Sequence, residues 1–173
     1  MTEIICITAT GKARASTEAV ARMLREELVA KKKRVLITRF ADPIKQVCRN
    51  WFCWDGQMDD TGRSWLQYVG SDVVRAQRPD FWVDFTVGLL SMLGSEWDYV
   101  IIPDCRWPNE LDMERYGFQS RLLRIEGRRG SPGPLDKIKP DFTITSHDTP
   151  ELLRGDVAAV ADRLLASWRE PFG

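Results

Sequence analysis

Residues able to bind or move charged groups fall in four clusters of this sequence, each close behind an apolar, strand-like run. Thr10 to Glu18 mixes hydroxyls, basic side chains and a carboxylate; Phe40 to Lys45 includes Asp42 and Lys45; Asp104 to Glu110 places Asp104 two residues before Arg106; Arg124 to Arg129 is rich in arginine. In open α/β sheets ligands bind outside the carboxyl ends of the strands, so these clusters are predicted to converge. The guanidinium of Arg106 has the fork geometry that suits a monophosphate, and Arg75 on the preceding helix offers a second clamp. Trp65 and Trp82 offer faces for stacking on a planar base. A plainer role stands beside each of these. Trp65 and Trp82 recur at helical spacing, which also fits a core. Asp104 can pair with Arg106, Glu110 can brace a helix beginning near Trp107, and Gln67 and Asp72 serve a pocket or simply solvate a helix face.

Other chemistries find little support. The four cysteines, Cys6, Cys48, Cys53 and Cys105, form no C-x-x-C pair, and the single histidine, His147, has no metal-ligand neighbour at useful spacing. Reduced thiols, no metal site and a surface turn for His147 are therefore expected. The chain has 173 residues with 25 basic and 25 acidic side chains, so it has no global basic field with which to hold a nucleic-acid backbone. No apolar run approaches the roughly 18 to 20 residues of a spanning helix, and Met1 leads directly into a strand-like run, not a signal core. A cytoplasmic protein with no nucleic-acid or membrane partner is expected.

The elements that must position these residues alternate. Ile4 to Thr8 reads as a strand, followed by Gly11 and a helix through Val20, Met23, Leu24 and Leu28. Arg34 to Phe40 reads as a second strand after the solvated turn Lys31 to Lys33. Asp42 before Pro43 predicts a helix N-cap, with the helix running to about Phe52. The polar stretch Asp55 to Gly62 precedes an amphipathic helix from Trp65 to near Arg78, and Pro79 starts another through Trp82, Phe85, Leu89 and Leu93. Tyr99 to Pro103, Leu122 to Ile125 and Phe142 to Ile144 supply further strands, and Thr149 caps a last helix through Val157, Val160, Leu164 and Leu165. The pattern predicts one α/β domain over residues 1–173, with a parallel sheet of about five strands between helical layers.

Six stretches carry a wider likeness: TGKAR at Thr10 to Arg14, FADPIKQVCR at Phe40 to Arg49, GRSWLQYVGSDVVR at Gly62 to Arg75, PDFWVDF at Pro79 to Phe85, DYVIIPDCRWPNE at Asp98 to Glu110, and PDFTITSHDTPELL at Pro140 to Leu153. Through them the chain resembles, over nearly its whole length, the deoxynucleoside monophosphate kinases of bacteriophages, which are P-loop phosphotransferases. The resemblance implies a three-layer nucleoside monophosphate kinase fold and puts Asp42 and Lys45 among acceptor contacts. It also exposes two departures. Family members follow TGKAR with S-G-K-D/S-T, whose glycine lets backbone N–H groups wrap phosphates and whose lysine reaches them. Here Ser16 and Thr17 stand at the glycine and lysine, and Glu18 adds an acid, although Ser16 and Glu18 also suit a helix start. The family's longer lid shrinks to Gly127 to Pro140, where Arg128 and Arg129 either meet phosphate or are solvated.

Two functions follow from the resemblance. The first is a nucleotide-binding protein with an intact acceptor pocket and a degraded ATP site, which captures a nucleotide or nucleotide-derived signal, in a phage context to blunt a host defence within the host cytoplasm. The second is an active kinase transferring the ATP γ-phosphoryl group to a deoxynucleoside monophosphate with Mg²⁺. In it Lys12 or Arg14 replaces the missing lysine and Asp104 orients metal or acceptor. In either function Asp42, Lys45, Trp65, Gln67, Arg75, Trp82, Asp104, Arg106 and Arg128 line the ligand. A homodimer through the helices bearing Trp65 and Trp82 is the expected assembly.

Overall fold

The structure is a computed structural model that describes residues 2–10, 13, 16–93, 96–127, 133–146 and 149–167. Lys12, Arg14, Arg128, Arg129 and His147 lie outside the described residues. Five strands, β1 (Glu3–Ala9), β2 (Val35–Ile37), β3 (Tyr99–Ile102), β4 (Gln119–Glu126) and β5 (Phe142–Thr145), form one sheet in the order β2-β3-β1-β4-β5, with every pairing parallel. The helices are α1 (Thr17–Ala30), α2 (Ala41–Phe52), α3 (Asp60–Gln67), α4 (Phe81–Leu93) and α5 (Pro150–Ser167). The expected α/β class with a five-stranded parallel sheet is what the structure has.

The chain divides into two compact units, Met1–Thr38 with Leu93–Gly173, and Arg39–Met92. The first holds the sheet. Ile5 and Ile7 of β1, Ile101 of β3 and Leu123 and Ile125 of β4 share one core with Val20, Leu24 and Leu28 of α1 and Val157, Val160 and Leu164 of α5. The alternate residues Ile4, Cys6, Val100 and Ile102 are buried as well. Burial of both faces explains why β1 and β3 are continuous apolar runs and not alternating ones. Asp98 locks the start of β3 to the start of β2: its carboxylate accepts from the Arg34 backbone N–H at 2.8 Å and from the guanidinium at 3.0 Å. Burial pushes the Asp98 carboxyl up, but the hydrogen bonds and charge of Arg34 outweigh that and hold it below its ordinary value.

The second unit is helical. Cys48, Trp54, Val69 and Trp82 form its core, with Phe52, Trp65 and Phe81 packed against them. Here the expected boundaries shift. β2 is an edge strand that pairs over Val35–Ile37 alone, and α2 then begins at Ala41 with Phe40 at its N-cap, so Asp42 lies inside the first turn and is not the cap. Pro43 is tolerated there because the first N–H groups of a helix have no intrahelical partner. α3 starts at Asp60, ahead of the predicted Trp65, because Asp59 caps it by accepting the Gly62 N–H at 2.7 Å. It then widens into a π-helix over Tyr68–Arg75. In the sheet unit, the helix expected near Trp107 is only a 3₁₀ turn, Pro108–Glu110, and Ser16 occupies the N-cap of α1 without a side-chain capping bond.

Candidate functional site

A cavity of about 360 Å³ opens in the sheet unit where the chain leaves β1 and β3. That volume falls within the roughly 300–1,000 Å³ of small-molecule sites. β1 delivers Thr8 and Ala9, the first turn of α1 delivers Thr17 and Glu18, the segment after β3 supplies Pro103 to Trp107, and Gly133 to Asp136 forms a further wall. The place follows from topology. β1 has its neighbours β3 and β4 on opposite sides, so the connections diverge at its carboxyl end and leave a crevice.

The segment after β3 is held from beneath. Glu110 is 2% exposed, and one of its carboxylate oxygens accepts from the backbone N–H groups of Arg106 at 2.6 Å and Trp107 at 3.0 Å. Charge-assisted bonds of this kind fix the loop backbone. Arg106 is thereby presented at the cavity with its guanidinium exposed and without a hydrogen bond to any described residue. Between it and Asp104, Cys105 points inward, its thiol bonded to the Ile102 carbonyl at 3.4 Å. Burial, with the neighbouring Cys6 thiol and nearby carboxylates, pushes the Cys105 thiol well up, so it is neutral and a poor nucleophile. Among the described residues, the charged side chains lining the cavity are those of Glu18, Asp104, Asp136 and Arg106.

The close approach of the turn after β1 to the end of β4 shapes the same place. The Thr10 N–H donates to the Ile125 carbonyl at 3.0 Å, and the Gly127 N–H donates to Thr10 Oγ1 at 3.3 Å. A Cβ at Gly127 would lie 2.7 Å from Ala13 Cβ, Ala13 N and Thr10 O. Only a residue without a side chain fits there.

Of the residues expected to carry function, Asp104 and Arg106 meet at this cavity with Thr17 and Glu18. Asp42, Lys45, Trp65, Gln67, Arg75 and Trp82 belong to the helical unit. There Asp42 pairs with Arg39 at 3.5 Å and with Lys45 at 3.4 Å. Trp65 packs against Phe52 with ring centroids 4.7 Å apart. Gln67 donates to Asp72 at 2.9 Å on an exposed face. Trp82 is 3% exposed and its indole N–H donates to the Gly70 carbonyl at 3.0 Å, so its ring is taken up by the core of its own unit, not offered as a free stacking face. The wall from Gly133 to Asp136 lies in the Gly127 to Pro140 connection that the resemblance marks as a shortened lid, but these four residues were not singled out, because no strand or helix signal marks them. Glu110 was expected only as a brace, and that is its geometry.

An all-parallel sheet of this order with flanking helices is a P-loop kinase-like fold. Solved structures bear this out: the chain is similar to a mutant of the APS kinase CysC of Mycobacterium tuberculosis, at 12% identity and a TM-score of 0.50 over 96% of this chain and 98% of that one. It is similar also to the protein APE1195, at 10% identity and a TM-score of 0.54 over 96% of each chain. No protein-family model and no curated protein matches the sequence.

Proposed function

We propose that this chain binds a nucleotide or a nucleotide-derived small molecule in the cavity at the carboxyl edge of β1 and β3, and that it retains the ligand instead of transferring a phosphoryl group to it. The observation that carries the reading is Arg106, an exposed guanidinium without a hydrogen bond to any described residue, held by Glu110 at the rim of a concave site of ligand size. A guanidinium so presented pairs with a phosphate in a bidentate manner. The P-loop kinase-like fold makes a nucleotide the natural bearer of that phosphate.

Retention is favoured over transfer by the start of α1. Thr17 stands where the resemblance expects the phosphate-binding lysine, and Glu18 lines the cavity. A unit charge pair at 4 Å is worth about 1 kcal/mol in water and about 4 kcal/mol near a protein surface. Losing an attraction and gaining a repulsion of that size raises the barrier of a reaction that depends on electrostatic stabilisation. As an ATP-dependent kinase the same cavity would need Mg²⁺, for which the Thr17 hydroxyl and the Asp104 carboxylate are hard oxygen donors of the right type. In the retaining reading the captured molecule is a nucleotide signal of a host cell, held by a phage protein to blunt defence, and the assembly is a homodimer through the helices of Trp65 and Trp82.

Calorimetry against nucleoside monophosphates, cyclic nucleotides and ADP-ribose-type compounds tests the proposal. Binding tighter than about millimolar, weakened at least tenfold by Arg106→Ala, is expected from the loss of a charge-assisted bidentate contact. No binding by folded protein rejects it. Turnover of a deoxynucleoside monophosphate in a coupled ADP-release assay would establish the kinase reading in its place.

A further inference from the structure

The segment Gly133 to Asp136 walls the cavity, yet it lies in a short connection with no helix or strand of its own. What holds it is visible one layer down. Arg124 sits in the middle of β4, in register with Thr8 of β1, which also lines the cavity. It is a charged residue only 8% exposed, and its hydrogen bonds among the described residues go to backbone carbonyls and not to a carboxylate. Its Nη2 donates to two carbonyls of the connection, Leu135 at 2.7 Å and Ile138 at 2.5 Å, while its Nε is buried without a partner among the described residues. The same stretch is drawn into a turn by the Ile138 N–H on the Leu135 carbonyl at 3.0 Å and by Asp136, which accepts the Gly133 N–H at 2.8 Å.

A buried guanidinium without a counter-ion is tolerated only where hydrogen bonds compensate it, and the buried Leu135 carbonyl needs a donor in turn. The two requirements meet in one geometry. The guanidinium crosses from the sheet to both ends of one turn, and any outward movement of the turn strands the charge and the carbonyls together. We propose that Arg124 is a positioning residue: a latch that fixes the Gly133–Ile138 segment as a rigid wall of the cavity, so that the site is preformed and does not close over its ligand as a mobile lid would. The rival is that the Leu135 side chain, 1% exposed, anchors the wall by burial alone.

The latch itself does not depend on what the cavity binds, but its effect on affinity rests on the nucleotide-binding reading. Hydrogen exchange on the ligand-free full chain separates the two. In Arg124→Met the amides of Asp136 and Ile138 are expected to exchange at least about tenfold faster than in the wild type, while those of β1 and β3 keep their rates. Arg124→Lys, which keeps the charge but reaches one carbonyl at a time, is expected to fall between and serves if the methionine variant does not fold. Leu135→Ala is expected to loosen the wall less than Arg124→Met. Wild-type exchange rates at Asp136 and Ile138 in either folded Arg124 variant overturn the proposal. So does an acceleration spread equally over β1 and β3, because the side chain would then serve the sheet and not the wall. With deoxyadenosine monophosphate as probe, the Arg124 variants are expected to bind at least about tenfold more weakly than wild type. If the wild type binds neither this probe nor any compound of the calorimetric panel while the exchange pattern holds, the ligand reading is wrong and the latch stands.

Discussion

Gly127→Ala tests how closely the turn after β1 and the end of β4 are fitted to each other. The added methyl carbon would lie 2.7 Å from three atoms, where ordinary contact begins at 3.4 Å. The shortfall is about 0.7 Å, and two of those atoms, Ala13 N and Thr10 O, are backbone, so no rotamer change relieves it. The turn must move away from β4, straining the Thr10 N–H to Ile125 and Gly127 N–H to Thr10 Oγ1 bonds that join them. Overpacking of this kind costs about 1–3 kcal/mol. Gly155→Ala is the matched control in the same unit: a Cβ there meets nothing within 4 Å in the middle of α5. It should gain about 0.5–1 kcal/mol from helix propensity. Urea denaturation followed by circular dichroism measures both, and a lower midpoint at unchanged slope identifies a loss of stability. Because the same turn leads into Thr17 and Glu18, Gly127→Ala should also weaken ligand binding. A Gly127→Ala midpoint at or above that of the wild type would refute the steric reasoning.

Two further outcomes follow from the fixed geometry. Glu110→Ala removes the acceptor of two backbone N–H groups and should destabilise by about 2–4 kcal/mol in urea denaturation, whereas Glu110→Gln, which keeps an acceptor oxygen, should cost clearly less. The Asp98 carboxyl is held below its ordinary value in the folded chain, so its bond to Arg34 contributes stability above the unfolded-state value of 3.8 and loses it as the pH falls through the lower folded value. Asp98→Asn should therefore be less stable than wild type at about pH 7, by a margin that shrinks as the pH is lowered below 3.8, measured by urea titrations across that range.

The sheet was legible because its physics is local and strong. β1 and β3 are buried on both faces, so each is an unbroken apolar run that no amphipathic helix would show. The strand-end rule then pointed to Asp104 and Arg106. The helical unit was harder to read at its edges. Asp59, three residues before Gly62, is a capping signal hidden in a stretch that reads as a polar turn. The π-helix has no signal of its own; within it Gly70 packs closely on Ile44, where a Cβ would lie 3.0 Å away, and its carbonyl takes the Trp82 indole N–H. The cavity wall at Gly133–Asp136 was illegible for another reason. A Gly- and Pro-rich connection states that the chain turns but not where it comes to rest, and the bonds that place it come from Arg124, on β4.

Among the described residues, the segment after β3 and the Gly133–Ile138 stretch are each held from below by a buried ionisable side chain, Glu110 under Arg106 and Trp107, and Arg124 under Leu135 and Ile138. Phosphoryl transfer requires water to be shut out when both substrates are in place, which enzymes achieve by closing a segment over them. A site whose walls are pinned forgoes that step but spares its ligand the entropy of ordering loops, and this favours affinity. On that argument the pinned walls and the acid at the start of α1 both favour the proposed reading, in which Arg106 holds a phosphate-bearing molecule and no phosphoryl group is passed on.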